Sequence, residues 1–67
     1  METLLRATEV ARILSLRPST VYSLAHRRIL RHVRIAQGAR RALIRFRPSD
    51  IDQLIHDRTE PQIIQRS

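Results

Sequence analysis

The first segment with a helical pattern of apolar residues lies near the N-terminus. Val10, Ile13 and Leu14 are spaced i, i+3, i+4, and Ala7 comes one turn earlier. This spacing places the four side chains on one face and predicts a short helix from Ala7 to Leu14. Residues 15–17 then interrupt the pattern.

A second helix is predicted directly after this break. Pro18 suits its first position, because the missing N–H of proline has no helical partner there. Val21, Leu24 and Ala25 repeat the i, i+3, i+4 spacing and form the predicted inner face. The other side chains of the helix are small, polar, basic or, once, aromatic. They are Ser19, Thr20, Tyr22, Ser23, His26 and Arg27.

Apolar positions then alternate with polar ones over residues 32–36 and, less regularly, over 42–46. Alternation of this kind predicts two half-buried strands. The connection between them contains the single glycine of the chain, Gly38, and has the length of a hairpin loop. Ile44 and Phe46 are the expected inward pair of the second strand.

Pro48 opens a segment that predicts a third helix. Ser49 can cap its start, and Asp50 and Asp52 fall in the first turn, where the helix dipole favours anions.

The third helix is expected to end near Arg58, because the residue before Pro61 avoids the α conformation. Residues 1–60 are therefore predicted to form one domain, and residues 61–67 a flexible C-terminal tail. The apolar face of the helix consists of Ile51, Leu54 and Ile55.

The order helix, helix, hairpin, helix predicts a mainly α fold with a β-hairpin. Two helices joined by a three-residue turn and followed by a basic hairpin have the plan of a winged helix-turn-helix. A helix with short or polar outward side chains can lie deep in the major groove of DNA. A hairpin tipped with Arg40 and Arg41 can reach the adjacent backbone or the minor groove.

The distribution of charge points to a polyanionic partner. Between Val10 and Ser49 the sequence has ten arginines and no acid, and it contains no lysine anywhere. Such a segment repels itself unless regularly spaced phosphates compensate its charge. The planar fork of arginine also suits bidentate contacts with phosphate or guanine. Codon usage in a GC-rich genome is an alternative reason for the missing lysine, but it does not account for the missing acids.

Composition limits the other classes. A chain of 67 residues is near the lower size at which a core stabilises a fold without disulfides or metal. It has no cysteine, short apolar runs, and an acid, Glu2, where a signal peptide needs positive charge. These features predict a soluble intracellular protein, compatible with a reducing cytoplasm, with no membrane partner.

Three segments of the chain resemble those of the small excisionase-like and MerR-like DNA-binding domains. They are Leu4-Leu5-x-x-x-Glu9-Val10-Ala11-x-x-Leu14, Ser19-Thr20-Val21-Tyr22-x-Leu24 and Ile44-Arg45-Phe46-Arg47-x-Ser49-Asp50-Ile51. The resemblance covers roughly residues 4–55. It implies that the second helix is the recognition helix and the hairpin is the wing. Groove-facing roles then fall to Ser19, Thr20, Tyr22 and Ser23, and wing roles to Arg40 and Arg41.

The chain departs from the pattern of these domains at four positions. Arg6 and Arg17 stand where the family usually has a threonine and a serine cap. Ser15 stands where it usually has a glycine, which affects the tightness of the turn. Ser23 replaces a residue that is often basic, which weakens direct base readout at that position.

The predicted DNA-binding residues are Arg17, Pro18, Ser19, Thr20, Tyr22, Ser23, His26, Arg27, Arg40 and Arg41. Alternatives remain open for several arginines and for the tyrosine. The Tyr22 ring could instead cover the edge of the core, and Arg27 and Arg28 could form a solvated helix end. Arg34 and Arg45 are expected to point outward, away from Ile35 and Ile44. Ordinary surface charge is expected for Arg6, Arg12, Arg58 and Arg66.

Catalysis is not expected. The three histidines lack the spacing and acidic partners of a helical metal site, and the chain has no glycine-rich phosphate loop. No cofactor and no metal ion are predicted.

The resemblance implies an excisionase, also called a recombination directionality factor, which binds adjacent sites near an attachment site and directs an integrase toward excision. It would bend the DNA and associate with further copies of itself there. The short length after the third helix favours this over MerR-type activators, which carry an effector domain. The alternative is a small transcriptional regulator that binds promoter DNA. RNA binding is disfavoured, because one tyrosine and one phenylalanine supply little stacking surface.

Overall fold

A computed structural model describes residues 2–37 and 42–60, which form three helices and one antiparallel hairpin. The predicted order of elements and the mainly helical class are confirmed. The first and third helices begin and end as the sequence predicts, the second begins at the predicted Pro18, and the first strand is displaced by one residue. The elements are α1 Ala7–Leu14, α2 Pro18–His26, β1 Val33–Gln37, β2 Ala42–Arg45 and α3 Pro48–Arg58.

The hydrophobic core lies where the three helices meet the end of the second strand. Each helix and the segment on either side of the hairpin contributes at least one buried side chain. The largest fully buried residues are Val10, Val21, Leu30, Phe46 and Ile51. Leu5, Leu14, Leu24, Ile44 and Leu54 pack around them as partly buried neighbours. The predicted inward pair of the second strand, Ile44 and Phe46, is thus confirmed.

The predicted inner face of α1 is wrong at one position. Ile13 is 54% exposed, and Ala11 is buried in its place. At 3.6 residues per turn, Ile13 lies roughly 110° from the centre of the stripe that Ala7, Val10, Ala11 and Leu14 form. The helix therefore packs through two alanines, Ala7 and Ala11, beside Val10 and the partly buried Leu14.

The hairpin corrects a second prediction. Arg34 pairs with Ile44 across the ladder, and a bulge between Arg34 and Ala36 leaves Ile35 54% exposed. Cross-strand partners project to the same face of a sheet. Arg34 therefore shares the face of Ile44, and Ile35 does not point inward. Burial of Ile44 and Phe46 sets the register of the hairpin. The residue paired with Ile44 is therefore on the same face even though it is an arginine.

The turn between α1 and α2 is tight although it contains no glycine. Ser15 has φ 57° and ψ 44°, the left-handed conformation. The N–H of Leu16 donates to the carbonyl oxygen of Ala11 at 2.7 Å, and that of Ser15 to the carbonyl oxygen of Arg12 at 3.3 Å. These are the bonds of a Schellman motif, which usually has glycine at the left-handed position.

The predicted capping role of Ser49 is wrong. Arg6, Arg17 and Arg47 occupy the N-cap positions of the three helices, and within the described residues none of their side chains makes a capping hydrogen bond. Carboxylates supply acceptors at two of the three starts, one from the first turn of the helix itself and one from a distant residue. Glu9 accepts the N–H of Arg6 at 2.8 Å. Glu2 accepts both the N–H and the hydroxyl of Ser49, each at 2.8 Å.

The N-terminal segment is thereby attached to the start of α3 and to the residues just before it. Leu5 and Phe46 form an isolated antiparallel bridge, with N–H to carbonyl distances of 2.7 and 2.9 Å. Together with the bonds from Glu2 to Ser49, this bridge fixes the start of α3 against the segment that leads into α1. The relative placement of the helices therefore depends on contacts between residues distant in sequence.

Candidate nucleic-acid interface

The outer surface of α2 is the first part of the candidate site. Val21 and Ala25 are buried, so the opposite side of the helix faces solvent. All the predicted contact residues of this helix lie on the exposed surface, and Tyr22 is 44% exposed. They are Pro18, Ser19, Thr20, Tyr22, Ser23 and His26, followed by Arg27 at the C-cap. Because most of these side chains are short, another macromolecule can approach the helix backbone closely.

The start of α2 is electropositive. Arg17 is exposed at the N-cap, and the first turn of the helix contains no acid. Backbone N–H groups at a helix N-terminus and the helix dipole both favour an anion such as a phosphate. Arg17 adds a full positive charge at the same place, as the sequence predicts.

A basic cleft lies beside α2, between this helix and the hairpin. Its volume is about 1160 Å³. The side chains that give it its charge are Arg28, Arg31, Arg34 and Arg47, with His32 among them and Tyr22 and His26 on the α2 side. No acidic side chain is among the described residues that line it. The cleft is thus a concave, positively charged surface continuous with the outer face of α2.

The backbone at the end of α2 turns the chain into this cleft. Arg28 has φ 62°, and the N–H of Ile29 donates to the carbonyl oxygen of Leu24 at 2.9 Å. This second left-handed helix end reverses the chain, so that Leu30 is buried and the next residue reaches the cleft. Arg31 is exposed there.

Sequence reasoning missed most of the cleft. Arg31 and Arg47 were not among the predicted contact residues, and Arg34 was placed on the opposite face. These residues come from two separate parts of the chain, one on each side of the hairpin tip, and no spacing rule connects them. The signal that could have indicated them is the register of the hairpin, because pairing Ile44 with Arg34 places both on the cleft side.

Arg47 has a second contact at the start of α3. Its Nη1 lies 3.7 Å from Oδ2 of Asp50, and its side chain is 52% exposed. Part of its charge is therefore balanced by its own helix. Arg45 lies on the other face of the hairpin, as predicted, where its Nη1 donates to the carbonyl oxygen of Ile44 at 2.8 Å.

None of the acidic residues that the structure describes lines the cleft, although Asp50 contacts Arg47, which does. Glu2 is engaged at the start of α3, and the hydrogen bond from the Ser49 backbone N–H lowers the pKa of its carboxyl group, with the Ser49 hydroxyl and Arg47 acting in the same direction. Asp52 and Asp57 are exposed on α3. Apart from Asp50 and Glu2, which lie near Arg47, the separation of charge that the sequence shows is thus also a separation in space.

The tip of the hairpin lies outside the described residues. Arg40 and Arg41, the predicted wing contacts, fall in this segment, so their role remains a prediction. In the described part of the hairpin, the side chains of Ile35 on β1 and Leu43 on β2 are exposed.

Other kinds of site are not visible in residues 2–37 and 42–60. This part of the chain has no group of three or more histidine or acidic residues placed to hold a metal ion. It also has no helix long and apolar enough to cross a membrane.

Two helices joined by a tight turn, followed by a hairpin and a third helix, define a winged helix-turn-helix domain. Comparison with protein-family models finds a match to the family described as "Helix-turn-helix domain", over residues 4–59. The chain belongs to this family, which is typical of excisionase-like DNA-binding proteins. Searches of curated proteins and of solved structures find no match. Family membership supports sequence-specific binding of DNA.

Proposed function

We propose that the protein is an excisionase, a recombination directionality factor that binds double-stranded DNA near an attachment site and directs an integrase toward excision. One observation carries the DNA-binding part of this proposal. The outer face of α2, with short polar side chains, lies directly beside a cleft lined by arginines and histidines. Family membership supports the excisionase part.

In the proposed complex α2 lies in the major groove. Arg17 at its N-terminus contacts a phosphate, and Ser19, Thr20, Tyr22 and Ser23 face base edges or the groove wall. Major-groove edges carry the full sequence code, and a helix is the element that fits this groove.

The basic cleft accepts the sugar-phosphate strand that borders the groove. Tyr22 and His26 line the cleft from α2, while Arg31 and Arg34 line it from the segment that leads into the hairpin. A strand seated between them would meet the polar groups of Tyr22 and His26 on one side and the positive charge of the arginines on the other. Arg40 and Arg41 then extend the contact along the backbone or into the minor groove. These phosphate contacts would fix the position of α2 without reading sequence themselves.

An excisionase role requires several copies on adjacent sites. One domain of this kind buries roughly 600–1,000 Å² of its surface on DNA, which gives modest specificity alone. Neighbouring copies add specificity when each stabilises the next. We expect a monomer in the absence of DNA, head-to-tail occupancy on DNA, and net bending of the duplex. The expected contacts join the wing side of one copy to α3 or the tail of the next, in the cytoplasm of a bacterial host.

The test is footprinting and gel-shift titration on attachment-site DNA that carries one, two or three binding sites. An excisionase should fill the sites cooperatively, bend the duplex, and stimulate excision when the integrase is added. Independent filling without bending, with protection of the protein's own promoter, would instead identify a transcriptional regulator. Failure to bind any duplex would overturn both functions.

A further inference from the structure

An apolar groove lies on the other flank of α2 from the basic cleft. Tyr22 borders the cleft and Leu24 borders the groove, and two positions along a helix place them about 200° apart. The groove has a volume of about 410 Å³. Its apolar lining consists of Leu14, Leu16, Leu24, Ile29, Leu54 and Ile55.

The groove leaves large apolar side chains open to solvent. Leu16 is 39% exposed and Ile55 is 44% exposed. DNA does not suit this surface, because phosphates carry charge and Arg58 is the one charged residue among the described residues that line it. Burial of apolar surface is favourable by about 25 cal/mol per Å². An apolar segment is therefore the occupant that this groove fits.

The chain itself supplies such a segment at the rim of the groove. Arg58 and Thr59 both line it, so α3 ends there. Thr59 has φ −73° and ψ 119°, an extended conformation, and its hydroxyl donates to the carbonyl oxygen of Ile55. Two adjacent isoleucines, Ile63 and Ile64, follow four and five residues later.

We propose that Ile63 and Ile64 occupy the groove of their own chain. They belong to residues 61–67, which lie outside the described residues. Four or five extended residues reach roughly 13–17 Å from Thr59, which itself lines the groove. A tether this short gives an effective concentration of about millimolar order, which favours the same chain over a second copy. The tail is then a docked segment rather than the free one that the sequence predicts.

Charge substitution in the tail tests the docking. Ile63→Asp with Ile64→Asp should lower the Tm of the full chain by roughly 4 °C or more, because burial of both side chains is lost. Gln62→Asp with Gln65→Asp is the matched control, since it adds the same charge to the same segment. A lower Tm for the isoleucine variant than for this control supports docking. Equal Tm values for the two variants would overturn it.

A disulfide test identifies which chain supplies the segment. The protein has no cysteine, so a pair can be introduced without competing thiols. Leu16→Cys with Ile64→Cys should form an intramolecular disulfide on mild oxidation. The control pairs Ile64→Cys with Thr8→Cys, an exposed position on α1 that does not line the groove.

Non-reducing electrophoresis and mass measurement give the outcome. A cross-linked monomer for the Leu16 pair, in higher yield than for the Thr8 pair, supports docking in the same chain. Disulfide-linked dimers would show that the groove takes the tail of a second copy, and equal yields would show no docking. Neither test depends on DNA, so docking and the proposed function can fail independently.

Discussion

At the residue scale, Ser15 shows how the chain keeps a tight turn without glycine. Its left-handed conformation places Cβ close to the following carbonyl oxygen, at a cost of about 1–2 kcal/mol for an L-residue. The hydrogen bonds of Leu16 and Ser15 to the end of α1 hold this conformation. The turn geometry is thus retained at a cost in stability.

Replacing Ser15 with glycine should therefore stabilise the fold. Relief of the left-handed strain exceeds the extra chain entropy of glycine, and we expect a gain of about 0.5–1 kcal/mol. Thermal or urea unfolding measures it. Ser23→Gly, in an exposed position of α2 with ordinary helical geometry, is the control and should destabilise. A loss of stability for Ser15→Gly would show that the serine side chain contributes more than its conformation costs.

Tyr22 has two roles that mutation can separate, if α2 reads bases as we propose. Its ring can cover the edge of the core while its hydroxyl contacts DNA. Tyr22→Phe keeps the ring, and Thr20→Ala removes a short polar side chain beside it. Each should cost about 1–3 kcal/mol on the cognate site and less on random DNA.

Fluorescence anisotropy with cognate and random duplexes measures these losses. Thr8→Ala, on the exposed side of α1, is the control and should bind like the parent protein. Equal losses on both duplexes for the α2 variants would mean that this helix does not read bases.

At the element scale, a distant carboxylate supports the start of α3. The bonds from Ser49 lower the pKa of Glu2 from its ordinary value of 4.5. Because the pKa of Glu2 is depressed in the folded state, the stabilisation from its hydrogen bonds with Ser49 is present above about pH 4.5. It is lost as the pH falls through the lower folded value.

Glu2→Gln should therefore reduce stability at pH 7, and the difference from the parent should shrink as the pH falls below about 4.5. Thermal unfolding between pH 7 and pH 3 measures both proteins. Glu60→Gln removes the same charge beyond the other end of α3 and serves as the control. A difference that grows toward low pH would contradict the helix-capping role of Glu2.

The hairpin is the second element with a separable role. Arg40→Ala with Arg41→Ala should weaken binding to every duplex alike, because phosphate contacts carry no sequence information. The slope of log affinity against log salt should become shallower by about two units. Arg58→Ala with Arg66→Ala removes the same charge from positions assigned to ordinary surface. If this pair has an equal effect, the wing has no special contact with DNA.

The elements differ in how far the sequence determined them. Helix ends depend on local signals such as Pro18 and Pro48, and these predictions are confirmed. The buried faces depend on partners that are distant in sequence, so Ile13 and Ile35 were placed wrongly. The cap of α3 comes from a residue 47 positions away, which no local rule could indicate.

The site was predictable to a similar extent. The exposed surface of α2 follows from helical spacing alone, and the structure leaves every predicted residue of that surface exposed. The cleft beside it requires the hairpin register and the left-handed turn at Arg28, both of which are tertiary features. The arginine-rich composition indicated a phosphate partner, but not which arginines come together.

At the scale of the whole molecule, the formal net charge of +7 is distributed unevenly. Arginines gather at the two ends of α2, in the cleft and in the hairpin, while the acids that the structure describes lie in the N-terminal segment, on α1, on α3 and just beyond α3. The electric field of this charge distribution attracts duplex DNA from one side. Binding then releases the counterions that are condensed on the DNA.

The most direct test of this account is the salt dependence of binding to cognate DNA, measured by anisotropy between about 50 and 300 mM salt. If the cleft, the start of α2 and the wing neutralise about five to seven phosphates, log affinity should fall against log salt with a slope of roughly −5 to −6. A slope shallower than about −2 would contradict a broad arginine contact with the DNA backbone.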